Sequence, residues 1–172
     1  GRLSPEKNHA PLILAVAELP WAKLLVIGDG PLRGQLSRLA AAVGKRVDVA
    51  GTMANSEVAK ALAQATYFVL PSLYDQSPKV VWEAMACSCA CIVSARVGIV
   101  RESVTGWLCE HSVYGIRSAV EAAHALPKSV RQQIQDEARK SILAGQEAPR
   151  LDDHPSERGT GRVSLIVDPG AS

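Results

Sequence analysis

The sequence predicts an α/β domain, a doubly wound parallel sheet with helices on both of its faces. Short apolar runs rich in Leu, Val and Ile alternate with longer segments whose apolar residues recur at helical spacing. Glycine and proline cluster where the first apolar runs stop, as is typical of a strand that turns into a helix. Such alternation favours a parallel sheet because each helix crosses back over the sheet to the next strand. The 172 residues suffice for one such domain with its own core.

The helices are predicted from apolar residues that recur every three or four positions. In the second of them, Leu36 and Leu39 fall on one face, and Gly44 is a natural C-cap. Asn55 or Ser56 is expected to cap the third. The predicted helices are 8–18, 32–43, 55–64, 79–86, 114–126 and 129–143, with a weaker turn of helix at 100–104.

The strands are predicted from apolar runs of three to five residues that end at turn formers. The first run, KLLVI, stops at the turn GDGP, and the third, TYFVL, stops at Pro71. The predicted strands are 23–27, 47–50, 66–70, 91–94 and 107–109.

These elements place one Rossmann-like α/β domain over residues 1–144. The remainder, 145–172, is rich in Gly, Pro, Asp and Ser, and we expect it to be a poorly ordered tail. Within it only 163–167 (VSLIV) resembles a strand.

The composition excludes several classes of protein. The net charge is +2 and the basic residues are scattered, so no nucleic-acid partner is expected. No run of about 18 apolar residues is present that would span a membrane. The first residues, GRLSPEKN, lack the basic and apolar regions of a signal peptide.

Four cysteines bear on location and metal binding. Cys87, Cys89 and Cys91 alternate within five residues, and Cys109 stands apart. This spacing is typical of small buried thiols in a reducing compartment, so we expect a cytoplasmic protein. A zinc site would need paired C-x-x-C ligands with further Cys or His. No metal and no cofactor are therefore expected.

The turn GDGP lies between a strand and a helix, where backbone N–H groups favour anions. A dinucleotide-binding fingerprint would need a third glycine where Arg33 stands, so that fingerprint fails. A simple tight turn and a ligand contact both remain open here.

Two acidic residues carry a stronger signal. Asp75 lies in the loop after a strand, and Glu83 lies eight positions later, about one turn into the following helix. Two carboxylates so placed can face one polyhydroxyl ligand from two sides, with a helix N-terminus suited to phosphate between them. A solvated loop acid and a helix acid near the dipole are the alternative.

Several motifs occur together in a specific order: GRLSPEK, LLVIGDGP, VAGT, VLPSLYDQSPKVVWEAMA, VGIVRE and TGWL. In this combination the chain resembles the C-terminal, donor-binding domain of the retaining glycosyltransferases with the GT-B fold, the large family 4 (glycosyl transferases group 1). The resemblance covers residues 1–143. It implies a Rossmann-like half of a GT-B enzyme that binds a nucleoside-diphosphate sugar, most often linked to UDP or GDP, and transfers a hexose with retention to an acceptor hydroxyl.

The resemblance also implies roles for particular residues. Arg2 and Lys7 match the basic pair that holds the donor pyrophosphate, and Gly51 and Thr52 match the turn that meets the nucleobase. Asp75 and the later acid match the E-x7-E motif: the first contacts donor-sugar hydroxyls and the second accepts bonds from the ribose. The ribose-binding acid is Glu83. Four further residues have backbone amides that would approach the sugar and phosphate: Gln76, Ser77, Val80 and Val81.

The sequence departs from the family pattern, and three of the departures bear on function. Asp75 stands where Glu is usual, the segment after Glu102 is short, and no match to the family's last helix follows Leu143. The acceptor-binding domain, expected as the partner, lies N-terminal in the family, and membrane association is expected only through it. The alternative is therefore a non-catalytic nucleotide-binding or interaction module, a remnant of a glycosyltransferase.

Overall fold

Helices and strands alternate along the chain in a computed structural model of the protein, which describes residues 2–75, 79–97, 99–144 and 164–167. The helices are α1 (His9–Ala17), α2 (Arg33–Val43), α3 (Asn55–Gln64), α4 (Lys79–Ala86), α5 (Val113–Ala125) and α6 (Lys128–Leu143). The strands are β1 (Lys23–Ile27), β2 (Val47–Gly51), β3 (Tyr67–Leu70), β4 (Ala90–Ser94), β5 (Trp107–Cys109) and β6 (Ser164–Val167). Short 3-10 helices cover Pro5–Lys7 and Ala95–Val97.

The six strands form one sheet in the order β2-β1-β6-β3-β4-β5. Neighbouring strands are parallel except at β6, which runs antiparallel to both of its neighbours. The predicted α/β class is confirmed, and the sheet is mostly parallel.

Each face of the sheet has its own core. Side chains alternate along a strand, so Tyr67 and Val69 of β3 join one cluster while Phe68 and Leu70 join the other. Helices α1, α2 and α5 cover the first face. Helices α3 and α4, with the second half of α6, cover the second face. The doubly wound arrangement follows directly.

Strand β6 corrects the prediction for the C-terminal segment. It lies in the middle of the sheet, where Lys23 pairs with Val167 on one side and Tyr67 with Ile166 on the other. Leu165 and Ile166 are buried in opposite cores. The boundary at residue 144 therefore excludes four residues that belong to the sheet, and the sheet is not wholly parallel. The physical reason is that β1 and β3 each offer an edge whose backbone groups need partners. The rest of the predicted tail lies outside the described residues.

Two helix ends differ in their agreement with the sequence. Gly44 ends α2 as predicted, with its N–H donating to Ala40 O at 3.2 Å. The N-cap of α3 is Ala54 instead of Asn55 or Ser56. A reciprocal bond takes the place of a polar cap, because Ala54 N–H donates to the Glu57 carboxylate at 2.9 Å.

The turn of helix predicted at 100–104 is wrong. The helical turn lies earlier, at Ala95–Val97, and the later residues form a tight loop. Glu102 bridges to Gly106, and Arg101 N–H donates to the Thr105 hydroxyl at 2.9 Å. Ser103 has a left-handed φ of +55°, and a right-handed helix cannot continue through that conformation.

Candidate functional site

Several segments meet at the carboxyl edge of the sheet, where α/β folds place their ligands. Strands β1 and β2 end side by side, and Gly28 N–H donates to Gly51 O at 2.7 Å. The first residues of the chain join this edge, since Leu3 N–H donates to Asp29 O at 3.0 Å. The edge therefore gathers motifs that are far apart in the sequence.

Gly30 has a structural reason in the turn that follows β1. A Cβ at this position would lie 2.6 Å from Leu3 O and 2.7 Å from Leu3 N. Leu32 N–H also donates to Leu3 O at 2.9 Å. The turn therefore packs against the backbone of residue 3, which explains why a side chain is missing there.

Lys7 and Asp75 form the central contact of the candidate site. Leu73 N–H donates to Glu6 O at 2.8 Å, which holds the loop after β3 against the 3-10 helix. Lys7 Nζ then lies 2.5 Å from Asp75 Oδ2, and the two side chains are only 18% and 10% exposed. The structure thus brings together a basic and an acidic residue that the sequence predicted for one site, and it pairs their charges.

Helix α4 carries the second predicted acid. Glu83 lies on its exposed side, and none of the ion pairs found among the described residues involves it. Partial burial raises the pKa of the Glu83 carboxyl, while Lys79 one turn earlier lowers it. Val80 is half-buried, and Val81 packs fully into the second core. The side chain of Val81 is therefore used in packing, and Val81 can meet a ligand only through its backbone.

Three of the other predicted residues are described by the structure, and two are not. Gly51 ends β2 with a φ of +80°, a left-handed conformation that favours glycine, and Thr52 beside it is exposed. Arg2 is exposed, and its carbonyl oxygen accepts Ser4 N–H at 2.9 Å. The predicted amide positions Gln76 and Ser77 lie outside the described residues.

A network of polar residues supports the loop after β3. The sequence did not reveal this network. Ser72 O accepts the hydroxyl of Ser94 at 2.5 Å and lies 3.2 Å from His111 Nε2. Asn8 donates in turn to His111 O at 2.8 Å. The network joins the ends of three strands to the start of α1. The one signal for His111 was its position two residues after the β5 segment, at the edge where ligands bind.

Burial keeps the thiols of three cysteines protonated. Burial raises the pKa of Cys89 and Cys109 to about 12 and that of Cys91 well above its usual value. These three thiols are buried as predicted, whereas Cys87 is half-buried. Within the described ranges no three His, Cys, Asp or Glu side chains group as a metal site would require. No described helix is long and apolar enough to cross a bilayer.

The family model for glycosyl transferases group 1 matches residues 1–150. This match covers most of the chain. The chain belongs to that family. A relative from Campylobacter jejuni, N-acetylgalactosamine-N,N'-diacetylbacillosaminyl-diphospho-undecaprenol 4-alpha-N-acetylgalactosaminyltransferase, is 27% identical over 138 residues, which are 80% of this chain and 36% of the relative.

Solved structures share the fold. Sucrose-phosphate synthase from Thermosynechococcus elongatus superposes with a TM-score of 0.74 at 26% identity, over 84% of this chain and 39% of that one. The Anabaena protein HepE in complex with UDP-glucose gives a TM-score of 0.72 at 21% identity, over 84% and 42%. The chain thus spans well under half the length of these glycosyltransferases, and its sheet is one Rossmann-like half of a GT-B fold.

Proposed function

We propose that this chain is the donor-binding domain of a retaining glycosyltransferase of family 4. It binds a nucleoside-diphosphate sugar, linked to UDP or GDP, for transfer of a hexose to an acceptor hydroxyl. The observation that carries the proposal is the contact of Lys7 with Asp75 at the carboxyl edge of the sheet. Family membership and the UDP-glucose complex of the Anabaena protein support it.

The charges of Lys7 and Asp75 suit the two groups on either side of the bond that would break, the diphosphate and the donor sugar. An ammonium group has three donors, so Lys7 can keep Asp75 and still bind phosphate oxygens. A carboxylate accepts several hydrogen bonds, so Asp75 can hold a hydroxyl of the donor sugar at the same time. Lys7, with Arg2 nearby in sequence, would neutralise the negative charge that develops on the departing diphosphate.

The other predicted residues would bind the nucleoside. The carboxyl of Glu83, on the exposed side of α4, would accept hydrogen bonds from the ribose hydroxyls, and the turn at Gly51 and Thr52 would meet the base. The N-terminus of α4 favours an anion, so its first amides would approach the phosphates. No cofactor or metal takes part in this proposal.

Transfer would need a second domain. The acceptor must be oriented and water excluded by a facing wall, and the chain covers 36% of its Campylobacter relative. We therefore expect this chain alone not to transfer sugar. We also propose that it acts in the cytoplasm and meets membranes only through the acceptor domain.

The test is calorimetric titration of the purified chain with UDP, GDP and their sugars. We expect Lys7→Met and Glu83→Gln each to weaken binding by about 1.5–3 kcal/mol, the range for a hydrogen bond to a charged group. Lys45→Met, an exposed change away from the edge, is the control. Absence of binding at millimolar concentration would contradict the proposal. So would a Glu83→Gln variant that melts earlier yet binds with unchanged affinity.

The loop after β4 favours a second candidate, a binding module without catalysis. Leu108 N–H donates to the Glu102 carboxylate at 2.5 Å, so this side chain stabilises β5. Ser103 next to it has a left-handed φ of +55°. A protein that contains both domains and binds nucleotide, but neither transfers nor hydrolyses the sugar, would favour this candidate.

A further inference from the structure

The turn predicted to meet the nucleobase is covered by an arginine that no motif assigns. The first carbon of a side chain at Gly51 would lie 2.8 Å from Arg33 Nη2 and 3.2 Å from Arg33 Cζ. The guanidinium therefore rests directly on the backbone of Gly51. The φ of +80° favours a glycine here, and the missing side chain leaves room for this group.

The Arg33 guanidinium also lies near an acid in the turn after β1. Arg33 Nη1 lies 3.9 Å from Asp29 Oδ1, and that oxygen also accepts Gly30 N–H at 2.8 Å. The Arg33 side chain remains 50% exposed. A planar cation thus lies over the ends of β1 and β2, and its side chain is half exposed at the ligand edge.

Arg33, over the end of β2, lies several strands away from the Lys7–Asp75 pair along the same edge. That pair sits at the end of β3, and three strand spacings separate β3 from β2 in the sheet order. At 4.8 Å for each spacing the span is about 14 Å. Such a span suits an extended nucleoside diphosphate, with phosphates at the end of β3 and the base between β1 and β2.

We infer that Arg33 binds the base of the donor nucleotide and selects bases that carry a carbonyl group. This inference rests on the proposed function. A guanidinium stacks on planar rings and offers only N–H donors. Uracil and guanine present carbonyl oxygens to such donors, whereas adenine presents none.

The experiment titrates the full 172-residue chain with UDP, GDP, ADP and inorganic pyrophosphate. The variants are Arg33→Met, Arg33→Lys and the control Arg38→Met, an exposed arginine of the same helix. We expect UDP or GDP to bind more tightly than ADP. Arg33→Met should weaken that ligand about tenfold, or 1.4 kcal/mol, and leave pyrophosphate unchanged. Arg33→Lys should behave like Arg33→Met because an ammonium neither stacks nor forks. The control should match the unmodified chain.

Three results would overturn the inference and leave the proposed function standing. These are unchanged UDP and GDP affinity in Arg33→Met, equal weakening of UDP and pyrophosphate, and a preference for ADP. The second would make Arg33 a phosphate contact. If the unmodified chain binds neither pyrophosphate nor any nucleotide, the proposed function itself fails. Melting temperatures of all variants show that each is folded.

Discussion

Replacing the buried side chains of β6 should destabilise the whole domain. The strand joins two half-sheets, β2-β1 and β3-β4-β5, which have no direct contact through backbone pairing. Leu165 is 1% exposed and Ile166 is fully buried, each in a different core. The substitutions Leu165→Ala and Ile166→Ala therefore probe both faces of the sheet.

The size of the effect follows from burial. Leu or Ile to Ala in a packed core costs about 2–5 kcal/mol, and we expect each change to fall in the upper part of that range. A domain is stable by about 5–15 kcal/mol in total. Either substitution should thus lower the melting temperature by roughly 6–20 °C. The double variant should melt at a lower temperature than either single variant.

Urea denaturation followed by circular dichroism measures these changes. Leu143→Ala is the matched control, since Leu143 is 74% exposed and a surface change costs within about 0.5 kcal/mol. A chain ending at residue 163 should lose its cooperative transition. If that shortened chain unfolded with an unchanged midpoint, β6 would not hold the sheet together and the reasoning from burial would be refuted.

Two further predictions concern the folded state. Gly30→Ala should cost more than about 2 kcal/mol because its Cβ would strike the backbone of Leu3 at 2.6 Å. Gly34→Ala, in the first turn of α2 with nothing nearer than 3.7 Å, should change stability by less than about 0.5 kcal/mol. Equal effects of the two substitutions in thermal melts would contradict this. Burial lowers the pKa of His9 from 6.5 to about 3, so below pH 6.5 the unfolded chain binds a proton that the folded chain refuses. The free energy of unfolding should then fall, because of this group, by about 1.4 kcal/mol for each pH unit below 6.5. His9→Gln should remove that part of the dependence of stability on pH. Identical pH dependence of the two chains in urea titrations would show His9 to be accessible.

The sequence predicts the local elements well because their signals lie within each element. The periodicity of Leu36 and Leu39 and the C-cap at Gly44 are set by neighbouring residues. The partners of β6 are not, since a short apolar run records nothing about which strand it will join. Its burial is decided by competition among all free strand edges.

The candidate site divides in the same way. The spacing of Asp75 and Glu83 is local and could be read directly, and the roles given to them still come from the family resemblance. The contact of Lys7 with Asp75 depends on strand order, because 68 positions separate them. The place of Arg33 on Gly51 depends on a packing distance that no motif encodes.

The central strand also dictates the order in which the protein can be completed during synthesis. Proteins emerge from the ribosome N-terminus first, so β1 to β5 leave the tunnel before the strand that joins them. Until residues 164–167 emerge, β1 and β3 each expose an unpaired edge, which readily pairs with other chains. A chaperone that shields these two edges would therefore raise the yield of native protein by acting on the nascent chain.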